Sequence, residues 1–460
     1  MGLHDRLSKN GDFLNGAEGN GTDVLVDPYA ELKARVHHAC IAKLGPELFK
    51  QDETELGDHV FKAVTEELTL AGTPLTKEER RELVRQLTDD ILGYGPLEQL
   101  LADDSVTEVM VNSADRVYIE RSGKIERTPV RFVDDAHVMR IIDKIVSSIG
   151  RRVDEASPMV DARLPDGSRV NAIIPPLSLT GPTLTIRKFA RDPYTINDLI
   201  SFGTLSARAA QFLGACVRGK LNMLISGGTG TGKTTTLNAV SAFIPGDERI
   251  VTIEDAAELQ LQQEHVITLE SRPANIEGTG EIKIRELVRN ALRMRPDRII
   301  VGEVRGAETL DMLQAMNTGH EGSLTTIHAN SPRDALARLE TLVMTAGVEL
   351  PHRAIREQIA SAFDVLVQIQ RLVDGTRRIS HISEVVGMES DVITLQDIFV
   401  ALPPGEDDAA EARRLLSPLR ASGLKPHFLD KLAANNVALS PTFFGVEETD
   451  VRAAFSVAGA

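Results

Sequence analysis

The chain has 460 residues, 42% of them hydrophobic, and a formal net charge of −16. That length suffices for two or three domains with their own cores, and the acidic balance with no tryptophan argues against a general nucleic-acid binder, whose domain would be basic. The two cysteines, Cys40 and Cys216, lie far apart and exclude a disulfide framework, so they read as buried reduced thiols.

Residues 1–26 are rich in Gly, Asn and Asp and are expected to be a disordered tail. Residues 27–92 turn to helical spacing. Leu32, Val36, Cys40 and Leu44 form one stripe, and Leu83, Val84, Leu87 and Ile91 form another. Thr76 and Glu79 have the spacing of a capping box ahead of the second stripe. Gly93-Tyr94-Gly95-Pro96 breaks the helical pattern. Residues 93–190 then read as a small α+β domain. Its predicted elements are strands at 108–112 and 116–120, a helix at 135–149, a hairpin turning at Pro165-Asp166-Gly167, and a strand at 184–187. Residues 191–196 are a linker candidate.

Over residues 197–400 strand and helix patterns alternate, which predicts a mainly parallel α/β sheet. After an apolar run at 221–226, strands are predicted at 249–253, 299–302, 324–327, 365–369, 379–386 and 393–399. Residues 401–460 form a tail with two short helical patterns. No apolar run approaches the ~20 residues needed to cross a bilayer. The first residues lack the apolar centre of a signal peptide. The expectation is a cytoplasmic protein that meets a membrane only through a partner.

One motif dominates. Gly227-Gly228-Thr229-Gly230-Thr231-Gly232-Lys233-Thr234 matches the phosphate-loop pattern G-x-x-x-x-G-K-[ST]. It sits between a predicted strand and a helix that opens with Thr235, and a flexible glycine linker would need neither. Glycines let backbone N–H groups approach an anion closely, and the helix start adds its positive dipole end. Lys233 supplies a mobile charge to outer phosphates, and the Thr234 hydroxyl is the expected Mg²⁺ ligand.

Acidic residues follow at predicted strand ends, where ligands bind in open α/β sheets. Glu254, Asp255 and Glu258 close one strand. Glu303 closes another and follows Gly302, which occupies the place where an Asp is usual. Glu303 is therefore expected to position or deprotonate an attacking water. His320 and His328 flank a further strand and are read as phosphate-sensing or coupling residues, with packing and zinc binding as the alternatives. No cysteine or further histidine lies at zinc-ligand spacing.

These motifs, in this order, resemble the secretion ATPase superfamily of type II and type IV secretion and pilus assembly. Its members carry a Walker A loop, an Asp box, an atypical Walker B and a His box. The stretches 152–167 and 173–176 are similar to the CpaF-type branch, which assembles Tad/Flp pili. The resemblance implies a RecA-like P-loop NTPase core, preceded by the smaller N-terminal α+β domain and the helical module. It also implies a homohexamer that hydrolyses ATP with Mg²⁺, without zinc or nucleic acid, against inner-membrane platform proteins. By motif, Glu303 is the Walker B glutamate, Glu254 and Glu258 are Asp-box carboxylates, and His320 and His328 belong to the His box. N-terminal-domain arginines act on the nucleotide in this family; Arg163, Arg169 and Arg187 are the candidates here. A type IV secretion ATPase is the alternative within the family. A nucleic-acid translocase and an ATP-binding scaffold that does not hydrolyse are the readings from other classes.

Overall fold

The computed structural model describes residues 29–44, 53–121, 123–148, 151–189, 193–274, 279–401 and 419–445. The tail expected at 1–26 lies outside them. The chain divides into two compact units, Met1–Ala190 and Arg191–Ala460.

The described residues of the first unit start with three helices, α1 (Ala30–Leu44), α2 (Glu53–Leu70) and α3 (Lys77–Leu92). Their apolar stripes meet: Val36 and Cys40 pack with Val60, Val64, Leu68, Leu83, Leu87 and Ile91. Burying each such aliphatic side chain stabilises by about 1.5–3 kcal/mol. The Thr76 capping box is present, with Glu79 N donating to Thr76 Oγ1 at 3.2 Å and Thr76 N donating to Glu79 Oε2 at 2.8 Å. After the short α4 (Glu98–Ala102) come strands β1 (Val106–Ser113), β2 (Arg116–Arg121) and β3 (Lys124–Arg127). Helix α5 (Asp135–Ser148) and strands β4 (Met159–Arg163), β5 (Arg169–Ile173) and β6 (Thr183–Arg187) follow. The six strands pair antiparallel in the order β3-β2-β1-β6-β5-β4. Alternation puts Val170, Ala172, Leu184 and Ile186 in the same core as Val138, Ile142 and Ile145 of α5. Lys144 of α5 donates to the Ile91 and Gly93 carbonyls, satisfying the end of α3.

The second unit begins with α6 (Ile196–Ser201), α7 (Ala207–Arg218), β7 (Met223–Gly227) and α8 (Lys233–Ser241). Next come β8 (Ile250–Glu254), β9 (Val266–Glu270), α9 (Ile284–Ala291), β10 (Arg298–Val301) and α10 (Glu308–Asn317). Then follow β11 (Leu324–His328), α11 (Pro332–Met344), α12 (His352–Ala362), β12 (Val365–Arg371), β13 (Arg377–Glu389) and β14 (Val392–Val400). A two-residue β15 (Arg420–Ala421) and α13 (Leu429–Ala434) follow.

The sheet runs β15-β14-β13-β12-β7-β11-β10-β8-β9. Strands β12 through β9 in that order are parallel, and β13, β14 and β15 extend it antiparallel. Every residue of β7 is buried because helices cover both faces, which explains its unbroken apolar run. One core holds α7, α8 and the C-terminal stretch, the other α9 to α12. The sheet is mainly parallel, as the alternation predicts, and its antiparallel extension starts where β12 and β13 join through a tight turn at Asp374-Gly375. Strand β9 was not among the predicted strands; its residues are half-exposed or exposed at the sheet margin.

The stretch 419–445 is fastened to α7. Arg208 Nε donates to the Phe443 carbonyl at 2.7 Å, and its Nη2 donates to that of Gly445 at 2.8 Å. Phe212 lies against Phe399, Phe428, Phe443 and Phe444.

Candidate functional site

The ends of β7, β11, β10 and β8 lie side by side, because His328 pairs with Gly227, Val301 with Thr325, and Val301 with Ile253. The glycine motif leaves β7 at this edge. A Cβ on Gly227 would stand 2.5 Å from the Ile369 carbonyl, so only glycine lets β12 approach there. Gly230 (φ +69°) and Gly232 (φ +94°) are left-handed, which bends the chain back on itself before α8 starts at Lys233. Thr229 and Gly230 form the exposed tip. Thr231 Oγ1 donates to the Gly228 carbonyl at 2.9 Å and holds the bend from inside.

Lys233 is 7% exposed, and its Nζ donates to the same Gly228 carbonyl at 2.9 Å. Burial pushes it down to about 8, and the Glu303 carboxylate restores only part of that. His328 lies 3.2 Å from Lys233 Nζ through Nδ1, and its Nε2 is 3.1 Å from Glu303 Oε1. Burial, then the Lys233 charge, lowers His328 from its ordinary value. Glu303 also accepts from Arg305 Nη2 at 2.9 Å, and Arg305 reaches Asp255 at 3.4 Å. Lys233, His328, Glu303, Arg305 and Asp255 thus form a continuous polar string across the strand ends.

Glu254 sits beneath that string and is 4% exposed. Its carboxylate accepts from the backbone N–H of Glu258 at 3.0 Å and of Leu259 at 3.2 Å. Burial raises it to about 7 against the pull of those two donors. A Cβ on Gly302 would fall 2.7 Å from Glu254 Cγ. The missing Asp of the β10 strand end is therefore room made for the Glu254 side chain. The turn carrying Glu258 is tied to the phosphate-loop helix, as Gln260 N donates to Asn238 Oδ1 at 2.9 Å. Asn238 lies one turn along α8 from Thr234, on the same face.

A family model described as "Type II/IV secretion system protein" matches residues 90–396. The chain belongs to the type II/IV secretion ATPase family. It is thereby an ATPase with a RecA-like nucleotide-binding core. A Mycobacterium tuberculosis (strain ATCC 25618 / H37Rv) protein with a conjugal-transfer description is 39% identical over 339 residues, which is 72% of this chain and 96% of that protein. The type IV secretion system protein VirB11 of Brucella abortus biovar 1 is 32% identical over 318 residues, 63% of this chain and 87% of the relative. Among solved structures, the VirB11 ATPase of the Brucella suis type IV secretion system, in complex with sulphate, is 28% identical. It covers 63% of this chain and 95% of its own, with a TM-score of 0.35. These relatives carry conjugal-transfer and type IV secretion names, which fits the sequence-based alternative better than the Tad/Flp reading. No helix among the described residues is long and apolar enough to cross a membrane.

Within this secretion ATPase the predicted residues fall into three groups. Lys233, Glu303, His328, Glu254 and Glu258 come together at one sheet edge. His320 lies apart from them, before the start of β11, while His328 closes that strand. The strand begins at the edge where Leu324 pairs with the first residue of β7, and β11 from Leu324 to His328 spans about 13 Å. The neighbourhood of His320 belongs to the foot of the sheet, where the fully buried Arg298 donates to the Gly322 carbonyl and pairs with Glu248.

Arg163, Arg169 and Arg187 belong to the first unit. There Arg163 pairs in register with Arg169, and Arg169 with Arg187, on three adjacent strands. All three are on the sheet face opposite α5, and Arg187 lies 4.0 Å from Glu108. Sequence reasoning missed Arg305, Asn238 and Arg377. Arg305 stands two residues past Glu303, and that spacing was the available signal. The other two carry no local mark.

The set suits a Mg–nucleotide. Among the described residues no group of three or more His, Cys, Asp and Glu side chains is placed to hold a metal unaided. Magnesium retains water and phosphate ligands, and asks the protein for one hard oxygen such as the Thr234 hydroxyl.

Proposed function

We propose that the chain hydrolyses ATP at the Lys233 loop and works as a homohexameric motor of an envelope-spanning export machine. The observation that carries this reading is the Lys233–His328–Glu303 contact at the mouth of a phosphate loop. Lys233 would leave the Gly228 carbonyl for the outer phosphates, while Thr231 keeps that carbonyl satisfied. The backbone N–H groups from Gly230 to Thr234 would cradle the phosphate oxygens. Thr234 would hold Mg²⁺, which supplies charge neutralisation to the phosphates. Glu303, held by Arg305, would orient the attacking water and accept its proton. His328, between Lys233 and Glu303, would report phosphate occupancy to the carboxylate. Glu254 and Glu258 would shape the floor through their turn.

Arg163, Arg169 and Arg187 would neutralise charge developing on the transferred phosphoryl group, a contribution of about 10³–10⁵ in rate for an arginine finger. Domain closure on ATP and loosening after hydrolysis would drive a platform protein at the inner face of the membrane. The names of its relatives favour conjugal-transfer or type IV secretion cargo. Tad/Flp pilus assembly remains a second reading, carried by the 152–167 and 173–176 stretches.

Turnover of the purified full chain tests the chemistry. Glu303→Gln should lower hydrolysis by about 10²–10⁴ while ADP still binds. Equal, near-zero rates for both proteins would leave a nucleotide-binding scaffold. A deletion strain complemented with wild type or Lys233→Ala then separates the cargoes, by scoring plasmid transfer against surface pili.

A further inference from the structure

The turn between β12 and β13 overhangs the phosphate loop with two arginines that the reading above leaves unused. Arg377 Nε donates to the Gly230 carbonyl at 3.1 Å. A Cβ on Gly232 would stand 3.2 Å from Arg377 Cδ, so the side chain lies along the loop's outer wall. Arg371 is the register partner of Arg377 across the hairpin, and its Nη1 lies 3.5 Å from where a Gly230 Cβ would be. Both glycines are left-handed, at φ +69° and +94°.

Two physical consequences follow. The first concerns loop shape. The Gly230 carbonyl must point outward for the N–H groups that follow it to point inward, and a guanidinium outside the loop holds it there. Thr231 and Lys233 hold the Gly228 carbonyl from within, so the two carbonyls are fixed from opposite sides. The second concerns charge. Both guanidinium groups stand against the loop, Arg377 at the Gly230 carbonyl and Arg371 with Nη1 3.5 Å from the Gly230 Cβ position. A planar fork of N–H donors matches phosphate oxygens.

We propose that Arg377 is a positioning residue of the phosphate loop, and that Arg371 and Arg377 together lend positive charge to the polyphosphate chain of the bound nucleotide from the C-terminal hairpin. This rests on the reading that the loop binds a nucleotide. The pair acts on binding, and because it touches no reacting atom it acts on ground state and transition state alike. Its loss therefore raises KM and leaves kcat nearly unchanged.

Isothermal titration of the full chain with ADP, ATP and inorganic tripolyphosphate tests this, using wild type, Arg377→Ala, Arg377→Lys, Arg371→Ala and Lys233→Ala. Arg377→Ala should weaken ADP and tripolyphosphate by about tenfold or more, with a shallower dependence of Kd on salt. Lysine at 377 should recover part of the loss, since it restores charge without the fork. Arg371→Ala should weaken binding with unchanged circular dichroism, which removes misfolding as an explanation. Unchanged Kd in Arg377→Ala and Arg371→Ala, with binding abolished in Lys233→Ala, would overturn the hairpin's role and leave the loop's role intact. Wild type that binds neither ADP nor tripolyphosphate would overturn both. A fall in kcat at unchanged KM would also refute a binding role.

Discussion

Replacing Lys233 by Met should stabilise the chain when no nucleotide is present. The lysine stem is packed and its ammonium is held out of water, with Gly228, His328 and Glu303 as its partial compensation. Its displacement from 10.5 to about 8 corresponds to about 3 kcal/mol of unfavourable charge burial. The folded chain binds that proton less readily than the unfolded chain does. Wild-type stability from this group is therefore lowest below about pH 8, and recovers as pH rises toward 10.5. Methionine keeps most of the packed stem and carries no charge. The variant should exceed wild type by about 3 kcal/mol near pH 7, with the gap closing by about pH 10. Saturating ADP should reverse the order near neutrality, because the ligand stabilises only a chain that binds it. Urea unfolding followed by circular dichroism, at both pH values and with and without ADP, provides the measurement. A variant less stable than wild type by the same margin at both pH values would refute the reasoning.

Restoring the usual acid with Gly302→Asp should lower the melting temperature and abolish hydrolysis, since its Cβ meets Glu254 Cγ at 2.7 Å. Overpacking of this kind costs about 1–3 kcal/mol. Adding Glu254→Ala to that variant should return much of the lost stability, as residues sharing one space couple strongly. Glu254, raised to about 7, holds its proton better in the folded chain than in the unfolded one, so wild type loses stability as pH rises from about 4.5 to 7. Glu254→Gln should lack that slope and be more stable by about 3 kcal/mol above pH 8, measured by denaturant titration across pH. Arg208→Ala removes the donor to the Phe443 and Gly445 carbonyls, a loss of about 1.5–3 kcal/mol. Chymotrypsin should then cut at Phe428 and Phe443 well before it cuts wild type.

The phosphate loop was legible because its chemistry is local: glycine torsions, a lysine and a helix start occupy eight consecutive residues. Strand ends were legible for the same reason, with Glu254 and Glu303 each closing an apolar run. Gly302 could be seen as a departure, but its cause lies 48 residues away in the Glu254 side chain, which no local pattern reveals. The two histidines show a different limit. His320 and His328 flank one strand, and a strand has two ends; only sheet register tells which end faces the loop. Arg377 was invisible because it meets Gly230 across 147 residues through a sheet pairing. Strand β9 escaped because its outward residues do not form the continuous apolar run of its buried neighbours.

The two-residue β15 has a consequence for the exposed margin of the sheet. A long outermost strand is an open template for a neighbour's backbone, the route by which sheets accrete without limit. Here β14 is met at Phe399 and Val400 by Ala421 and Arg420 of the same chain, and Arg208 pins the segment that follows. That piece of backbone acts as a guard rail on its margin of the sheet. Ser422 N donates to the Ile398 carbonyl at 2.9 Å, so backbone groups at that end of the margin are used within the chain and are closed to another strand.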